Sequence, residues 1–316
     1  MLTLIQRIAW GLTLATVGLV VFGASVRVHG AGLACPDWPL CFGEVIPTID
    51  FGVGLEWGHR VLAGGISLGF VALGGLIFAL RRELPRFIPV LWGVAAMVLA
   101  VQIVLGGLTV LELLAEWTVT SHLLAGNAFA VLLFLLAISI HEARRGEVTD
   151  RAPVTATVRM GAVLIAVMVP LQIGLGGLVS SSYAGLTCPS FPACYGDVWF
   201  PTFAGPMGLQ VMHRVGAWTL LGLATIQVVL TWQGSVRVAR QSRILLLLVL
   251  AQGLVGALNV WWLLPVEVTL LHSLGANLIA IATAWLHYEV WRSPAVVRES
   301  SAPAPALPSA PAPEVA

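Results

Sequence analysis

The sequence predicts an all-α integral membrane protein with eight transmembrane helices, arranged as two tandem four-helix bundles. Of its 316 residues, 58% are hydrophobic and only 10% are charged, whereas roughly a quarter are charged in soluble globular domains. Apolar runs of about 20 residues, each long enough to span a bilayer as a helix, recur along the chain. A motif of two cysteines and two prolines also occurs twice. These observations exclude a soluble enzyme and a disordered protein, and the net charge of +1 implies no nucleic-acid partner.

Each predicted helix corresponds to one apolar segment. The first follows Arg7 as a signal peptide would, but it is too long for a typical signal-peptide core and takes part in the internal repeat described below. The predicted helices cover residues 7–26, 57–80, 87–110, 118–140, 158–180, 209–232, 243–264 and 268–291.

The arginines predict the orientation of these helices. The chain has no lysine, and 13 of its 16 arginines fall on one side of the predicted spans. Because basic residues accumulate on the cytoplasmic side, both termini are expected in the cytoplasm. The two long loops, 27–55 and 181–208, then lie outside, and they contain all four cysteines. The arginines on the opposite, outer side are Arg27, Arg60 and Arg214.

The chain contains an internal repeat of about 150 residues. Several ordered matches indicate a tandem duplication, and two copies with the same orientation predict a pseudo-two-fold axis along the membrane normal. The predicted units are an N-terminal half (1–141), a linker (142–157), a C-terminal half (158–291) and a disordered tail rich in proline and alanine (292–316). The matched pairs are 35–41 with 188–194, 58–61 with 212–215, and 122–127 with 272–277.

Four histidines lie near the outer ends of the even-numbered helices, within about the first turn. One such histidine could simply bond to a neighbouring helix, but two per half favour metal ligation. Two imidazoles from facing helices suit a haem iron, whereas zinc needs three or four ligands. We therefore expect two haem sites. The four histidines are His59 and His122 in the first half, and His213 and His272 in the second.

Arginines follow two of these histidines directly. The guanidinium groups of Arg60 and Arg214 are candidates for binding haem propionates. The alternative is that both arginines are interfacial anchors.

One position differs between the halves in a way that chemistry could use. Glu56 precedes His59 by three residues and shares its helical face, whereas the equivalent residue in the second half is Gln210. A carboxylate can act as a general base or stabilise a developing cation. The alternative is an interfacial charge near a helix N-terminus. The difference suggests that the N-terminal site performs a reaction and the C-terminal site holds a cofactor.

The cysteine motifs allow two interpretations. Disulfides persist on the outer face of a membrane, so each motif could close a structural disulfide, or it could pass electrons by thiol–disulfide exchange. We favour a structural role for Cys188 and Cys194 and leave both roles open for Cys35 and Cys41. His29, in the first outer loop, is a further candidate for contacting a substrate or a propionate.

Together these features resemble the haem A synthases of the CtaA/Cox15 type, over residues 1–291. The resemblance rests on the eight spans, the C-P-x-x-P-x-C loops, the segment Glu56-x-x-His59-Arg60 and the three further histidines, and it points to the bacterial form with cysteine pairs in both halves. It implies an oxidoreductase of the bacterial cell membrane that converts the C8 methyl group of haem O to the formyl group of haem A. It also implies Glu56 as the catalytic carboxylate.

The resemblance also implies ligands and partners. His59 and His122 would bind the substrate haem, and His213 and His272 a haem b. Haem O synthase, an assembling terminal oxidase and an electron acceptor are the expected partners, and a homo-oligomer stays open. Two other functions compete: a di-haem b-type cytochrome that only relays electrons, and an outer-face thiol–disulfide oxidoreductase.

Overall fold

The chain folds into a bundle of membrane-length helices. The computed structural model describes residues 1–146 and 152–295. Within these ranges it contains eight α-helices, all long and apolar enough to cross a membrane, so the predicted all-α multi-pass fold is confirmed. Most of the predicted tail and part of the predicted linker lie outside the described residues. The helices are α1 (Leu2–Val28), α2 (Phe51–Ala79), α3 (Phe87–Leu111), α4 (Glu116–Arg145), α5 (Ala156–Ser181), α6 (Gly205–Thr231), α7 (Val236–Trp261) and α8 (Val266–Arg292).

Three helices begin well before the residues predicted from hydropathy, and the first of them is α1, which begins at Leu2 instead of residue 7. α2 begins at Phe51 instead of residue 57, because the carboxylate of Asp50 accepts a hydrogen bond (2.8 Å) from the backbone N–H of Val53 and caps the helix. α7 begins at Val236 instead of residue 243, and its first turns carry arginines that break the apolar pattern. The extra turns at the start of α2 place His59 further from the first residue of its helix.

The four histidines lie deeper in their helices than the sequence predicts. His59 and His213 come eight residues after the first residue of α2 and α6. His122 and His272 come six residues after the first residue of α4 and α8. All four are therefore about two turns from the helix start, instead of within the first turn. Loops 29–50 and 182–204 lie at the end of the bundle where these four helices begin. We call it the disulfide end.

The helix contacts form matching sets in the two halves. In the first half, α1 and α3 each pack on α2 and α4, and in the second half α5 and α7 each pack on α6 and α8. Between the halves, α1 packs on α8, α4 on α5, and α4 on α8. At the α4–α8 contact, the buried amide of Asn277 donates a hydrogen bond (2.9 Å) to the side-chain oxygen of Asn127. The pseudo-two-fold axis itself stays a prediction.

Candidate functional site

The histidines of each half lie on helices that face each other without direct contact. Within the described chain, α6 and α8 do not pack on each other. The rings of His213 and His272 nevertheless approach to a centroid distance of 6.4 Å, with an angle of 65° between their planes. Nitrogen ligands about 2 Å from one metal ion place imidazole centroids roughly 6 Å apart. The C-terminal pair therefore has the spacing for a metal ion between the rings. In the N-terminal half, His59 of α2 and His122 of α4 occupy the equivalent positions on two helices that do not pack on each other within the described chain.

Every one of these rings lies against a glycine of a neighbouring helix. A Cβ atom built on Gly23 of α1 would approach the His59 ring to 3.0 Å, and one built on Gly176 of α5 would approach the His213 ring equally closely. Gly106 and Gly256 lie against His122 and His272 in the same way, at 3.1 and 3.3 Å. A side chain at any of these glycines would push the ring inward. The sequence analysis does not predict this contact between glycines and histidines.

Glutamines contact three of the four histidines. The amide nitrogen of Gln172 donates to the backbone carbonyl of His213 at 2.8 Å and lies 3.1 Å from Nδ1 of the same residue. The amide nitrogen of Gln252 donates to the carbonyl of His272 at 2.9 Å. The corresponding nitrogen of Gln102 lies 3.4 Å from Nε2 of His122.

Each glutamine precedes, by four residues, the glycine that supports a histidine. The pattern is Q-x-x-x-G in α3, α5 and α7, and four residues separate positions on one helical face. In α1 the same position before Gly23 is Leu19, so His59 lacks this partner. The recurring spacing is the sequence signal that could have identified these glutamines.

Glu56 is buried and held in place by two groups. Its side chain accepts a hydrogen bond (2.8 Å) from the backbone N–H of Cys35 and forms an ion pair with Arg60 at 2.6 Å. Only 5% of the residue is exposed, so it is not the solvated interfacial charge of the alternative interpretation. Gln210 is equally buried, but its amide donates to the carbonyl of Gly185 at 3.1 Å. The two halves therefore present a carboxylate and an amide at equivalent positions.

Arg60 and Arg214 hold the cysteine loops. The guanidinium of Arg60 donates to the carbonyls of Asp37 (2.7 Å) and Leu40 (2.6 Å). That of Arg214 donates in the same way to carbonyls of its own loop, including Cys188 at 2.9 Å. The sequence did not predict this role, and the predicted contact with haem propionates stays a prediction.

Both cysteine motifs close disulfides. Cys35 is bonded to Cys41 and Cys188 to Cys194, and all four residues are buried. In the first loop, the carboxylate of Asp37 accepts hydrogen bonds from the backbone N–H groups of Gly43 and Phe42, and these bonds lower its pKa.

The remaining candidates lie apart from the histidine pairs. The ring of His29 is hydrogen-bonded to the carbonyl of Ser25 (2.9 Å) and lies edge-on to Phe51, and its predicted contact with a substrate stays a prediction.

Residues 1–146 and 152–295 contain no cluster of three or more His, Cys, Asp or Glu side chains arranged to hold a metal ion. Each half thus presents two imidazoles from facing helices, and imidazoles are ligands that a haem iron takes in proteins.

Comparison with known proteins identifies the family. The model of the COX15-CtaA cytochrome oxidase assembly proteins matches residues 6–51 and 51–284. A heme A synthase of Shewanella oneidensis is 29% identical, with 92% of this chain and 97% of the relative aligned. Heme A synthases of Azorhizobium caulinodans and Brucella ovis are each 26% identical, over 85% and 88% of this chain and 88% of either relative. This chain therefore belongs to the COX15-CtaA family of cytochrome oxidase assembly proteins.

Proposed function

We propose that this protein is a haem A synthase, an oxidoreductase that converts the C8 methyl group of haem O to the formyl group of haem A. Family membership and the names of its relatives support this function. One structural observation carries the assignment of roles. The same histidine–glycine arrangement occurs twice, but a buried carboxylate, Glu56, accompanies only the first copy.

His59 and His122 are proposed to bind the iron of the substrate haem O. Their rings are supported by Gly23 and Gly106, and the Nδ1 atoms of both rings are buried without a hydrogen-bond partner among the described residues. Polar ring atoms in this state fit a site that is completed by a ligand. Glu56 lies one turn before His59 on α2, so it would lie near a haem bound by that histidine.

Glu56 is proposed to accept a proton from the substrate. With water as the source of oxygen, turning a methyl group into a formyl group releases four protons and four electrons, and the proposed electron acceptor takes up the electrons. Arg60 and the N–H of Cys35 orient the carboxylate and stabilise its negative charge, so it is available as a general base. Gln210 has no group that could take this proton.

His213 and His272 are proposed to hold a haem b. When bound, this group would supply one-electron chemistry next to the substrate half. The residues fit such a group, because the rings of His213 and His272 lie close enough together to bind one iron. Gln172 would position His213 through its hydrogen bond to the backbone carbonyl of that residue.

Both disulfides are proposed to be structural. Thiol–disulfide exchange requires access of an attacking thiolate to the sulfur, but the exposed fraction of each cysteine is 1% or less. The loop of Cys35 also provides the N–H that holds Glu56. We therefore disfavour the thiol oxidoreductase function.

The proposed location is the bacterial cell membrane, with both termini in the cytoplasm and the disulfide end outside. The arginine distribution and the disulfides support this orientation. An assembling terminal oxidase, haem O synthase, an electron acceptor and a second copy of this chain are proposed as partners.

Product analysis tests the proposed function. Cells that make haem O should accumulate haem A when they express this chain, and chromatography of extracted haems measures the conversion. His59→Ala should abolish the product while the purified protein keeps a low-spin haem. His213→Ala should remove that low-spin haem. Haem O that stays unconverted with the wild-type chain would refute the synthase and favour the electron-relay cytochrome.

A further inference from the structure

The turn between α2 and α3 concentrates positive charge around one cavity. Residues 80–86 form this turn, at the end of the bundle opposite to the disulfide end. Three exposed arginines, Arg81, Arg82 and Arg86, line an open cavity of about 590 Å³. We call it the arginine cavity. The other residues that line it are Leu84, Pro85 and Pro89.

No residue of the described chain neutralises these three charges. The guanidinium groups make no hydrogen bond, ion pair or cation–π contact with any residue in the ranges 1–146 and 152–295. Glu83, the acidic residue of the turn, does not line the cavity and forms no ion pair with a described arginine. α3 begins here without a capping side chain or an acidic residue in its first turn, so the partial positive charge of the helix start adds to that of the arginines. The arginine cavity therefore has an excess of positive charge.

The backbone of this turn is held in place by the core. Leu80, Leu84 and Ile88 are buried in one apolar cluster. The backbone N–H of Glu83 donates to the carbonyl of Leu80 (2.9 Å), and that of Ile88 donates to the carbonyl of Pro85 (3.0 Å). The arginines therefore extend from an ordered backbone, and a ligand that binds them has no loop to order first.

The second half uses its arginines differently. Its turn between α6 and α7, residues 232–235, contains four residues instead of seven. The guanidinium of Arg240 lies 5.9 Å from the ring centroid of Trp285, and that of Arg243 lies equally far from the ring of Trp232. These arginines contact the protein's own aromatic rings at the distance of a cation–π interaction. Arginines at this end orient both halves in a membrane, but the first half has three that converge on one cavity without a partner in the described chain.

We infer that the arginine cavity binds the phosphate group of an anionic phospholipid. Guanidinium groups match phosphate oxygens with paired hydrogen bonds, and basic pockets at the cytoplasmic ends of membrane helices bind lipid headgroups. The site lies at the other end of α2 from His59 and does not depend on the proposed function. Exposed apolar side chains continue from the cavity along one face of α3 and provide a surface for the acyl chains. They are Phe87, Val90, Val94 and Met97.

A lipid titration of the purified full-length protein tests the site. Native mass spectrometry counts the bound lipids and gives Kd values for phosphatidylglycerol, which is anionic, and for phosphatidylcholine, which has no net charge. Phosphatidylglycerol should bind more tightly. An arginine near an anionic headgroup contributes about fivefold to affinity, so a variant that combines Arg81→Gln, Arg82→Gln and Arg86→Gln should bind phosphatidylglycerol roughly a hundredfold more weakly. Equal affinity of the wild type for the two lipids, or unchanged binding by the triple variant, would overturn the inference.

The second half provides the matched control. A variant that combines Arg237→Gln, Arg240→Gln and Arg243→Gln removes the same charge from the same end of the bundle. It should bind phosphatidylglycerol as the wild type does. Equal losses in the two triple variants would mean that lipids respond only to the overall charge of this end, and the inference would then be wrong.

Two further measurements complete the test. Inorganic phosphate, which shares the headgroup chemistry but has no acyl chain, should not displace bound phosphatidylglycerol, and displacement at equal concentration would assign the cavity to a free phosphate instead. A ligand that binds the folded state raises its stability, so phosphatidylglycerol should raise Tm more in the wild type than in the triple variant of the first half. If that variant does not fold, Arg82→Gln alone should lose about fivefold in affinity, and an unchanged Kd would equally overturn the site.

Discussion

At the scale of single residues, the histidine sites consist of a ring, a glycine behind it and, in three cases, a glutamine beside it. The exception is His59, where Leu19 takes the place of the glutamine. Hydrogen bonds from outer partners orient metal ligands and raise their affinity. The absence of a glutamine beside His59 suits the proposed substrate site, which must release its haem as a product. The presence of Gln172 beside His213 suits the proposed haem b site, which keeps its haem.

Gln172→Leu should therefore weaken haem retention in the second half. Removing an outer partner of a ligating histidine typically costs about 10- to 100-fold in metal affinity. The haem content per protein and the reduction potential of the low-spin haem measure the effect. Gln227→Leu is the control, because Gln227 is also buried and bonded to a backbone carbonyl, but far from the histidines. Haem content that falls equally in both variants would mean that Gln172 acts only through stability.

Glu56→Gln should remove the reaction and keep the fold. Losing a general base lowers rates by about 10²- to 10⁴-fold, so little haem A should form. A helix-end charge contributes about 1 kcal/mol or less, but the ion pair with Arg60 raises the expected loss of unfolding free energy to about 2 kcal/mol. Product analysis and thermal unfolding measure the two effects. Gln210→Glu should not create a second active half, and near-normal haem A from Glu56→Gln would refute the catalytic role.

At the scale of elements, each cysteine loop is fixed to the helix that carries a histidine. An arginine that directly follows the histidine donates to carbonyls of the loop, and the disulfide closes the loop around it. Apolar periodicity cannot reveal such contacts, because they join a side chain to backbone carbonyls brought near by folding. Both cysteine motifs and both arginines stand out in the sequence, but their hydrogen bonds to each other's segments could not be predicted from it.

Removing the second disulfide should affect stability more than chemistry. A disulfide between residues six apart constrains the unfolded chain, and native disulfides typically contribute about 2–4 kcal/mol. Cys188→Ser should lower Tm while the activity per folded protein stays close to that of the wild type. The matching change Cys35→Ser should reduce activity as well, because opening the loop would displace the backbone N–H at position 35 that holds Glu56. Equal activity losses in both variants would contradict this division.

At the scale of the whole molecule, hydropathy and the repeat predict most of the fold. The eight spans and their order can be read from the sequence, because each span depends on residues close in sequence. The repeat can be read as well, by comparing the two halves directly. The stacking of Trp92 of α3 on Phe70 of α2 is not readable in the same way, because the two residues are far apart in sequence and meet only after the helices pack.

The hydrogen bond between Asn127 and Asn277 bears on how such a protein could have arisen. The two asparagines occupy the same position in the two halves, so in an undivided ancestor they would be one residue meeting its own copy. Contacts of this kind are what an isologous interface between identical subunits requires. The bond is therefore expected to descend from a homodimer of four-helix chains. Fusion of the two genes would then have freed each copy to specialise, the first with the carboxylate of Glu56 and the second with the amide of Gln210.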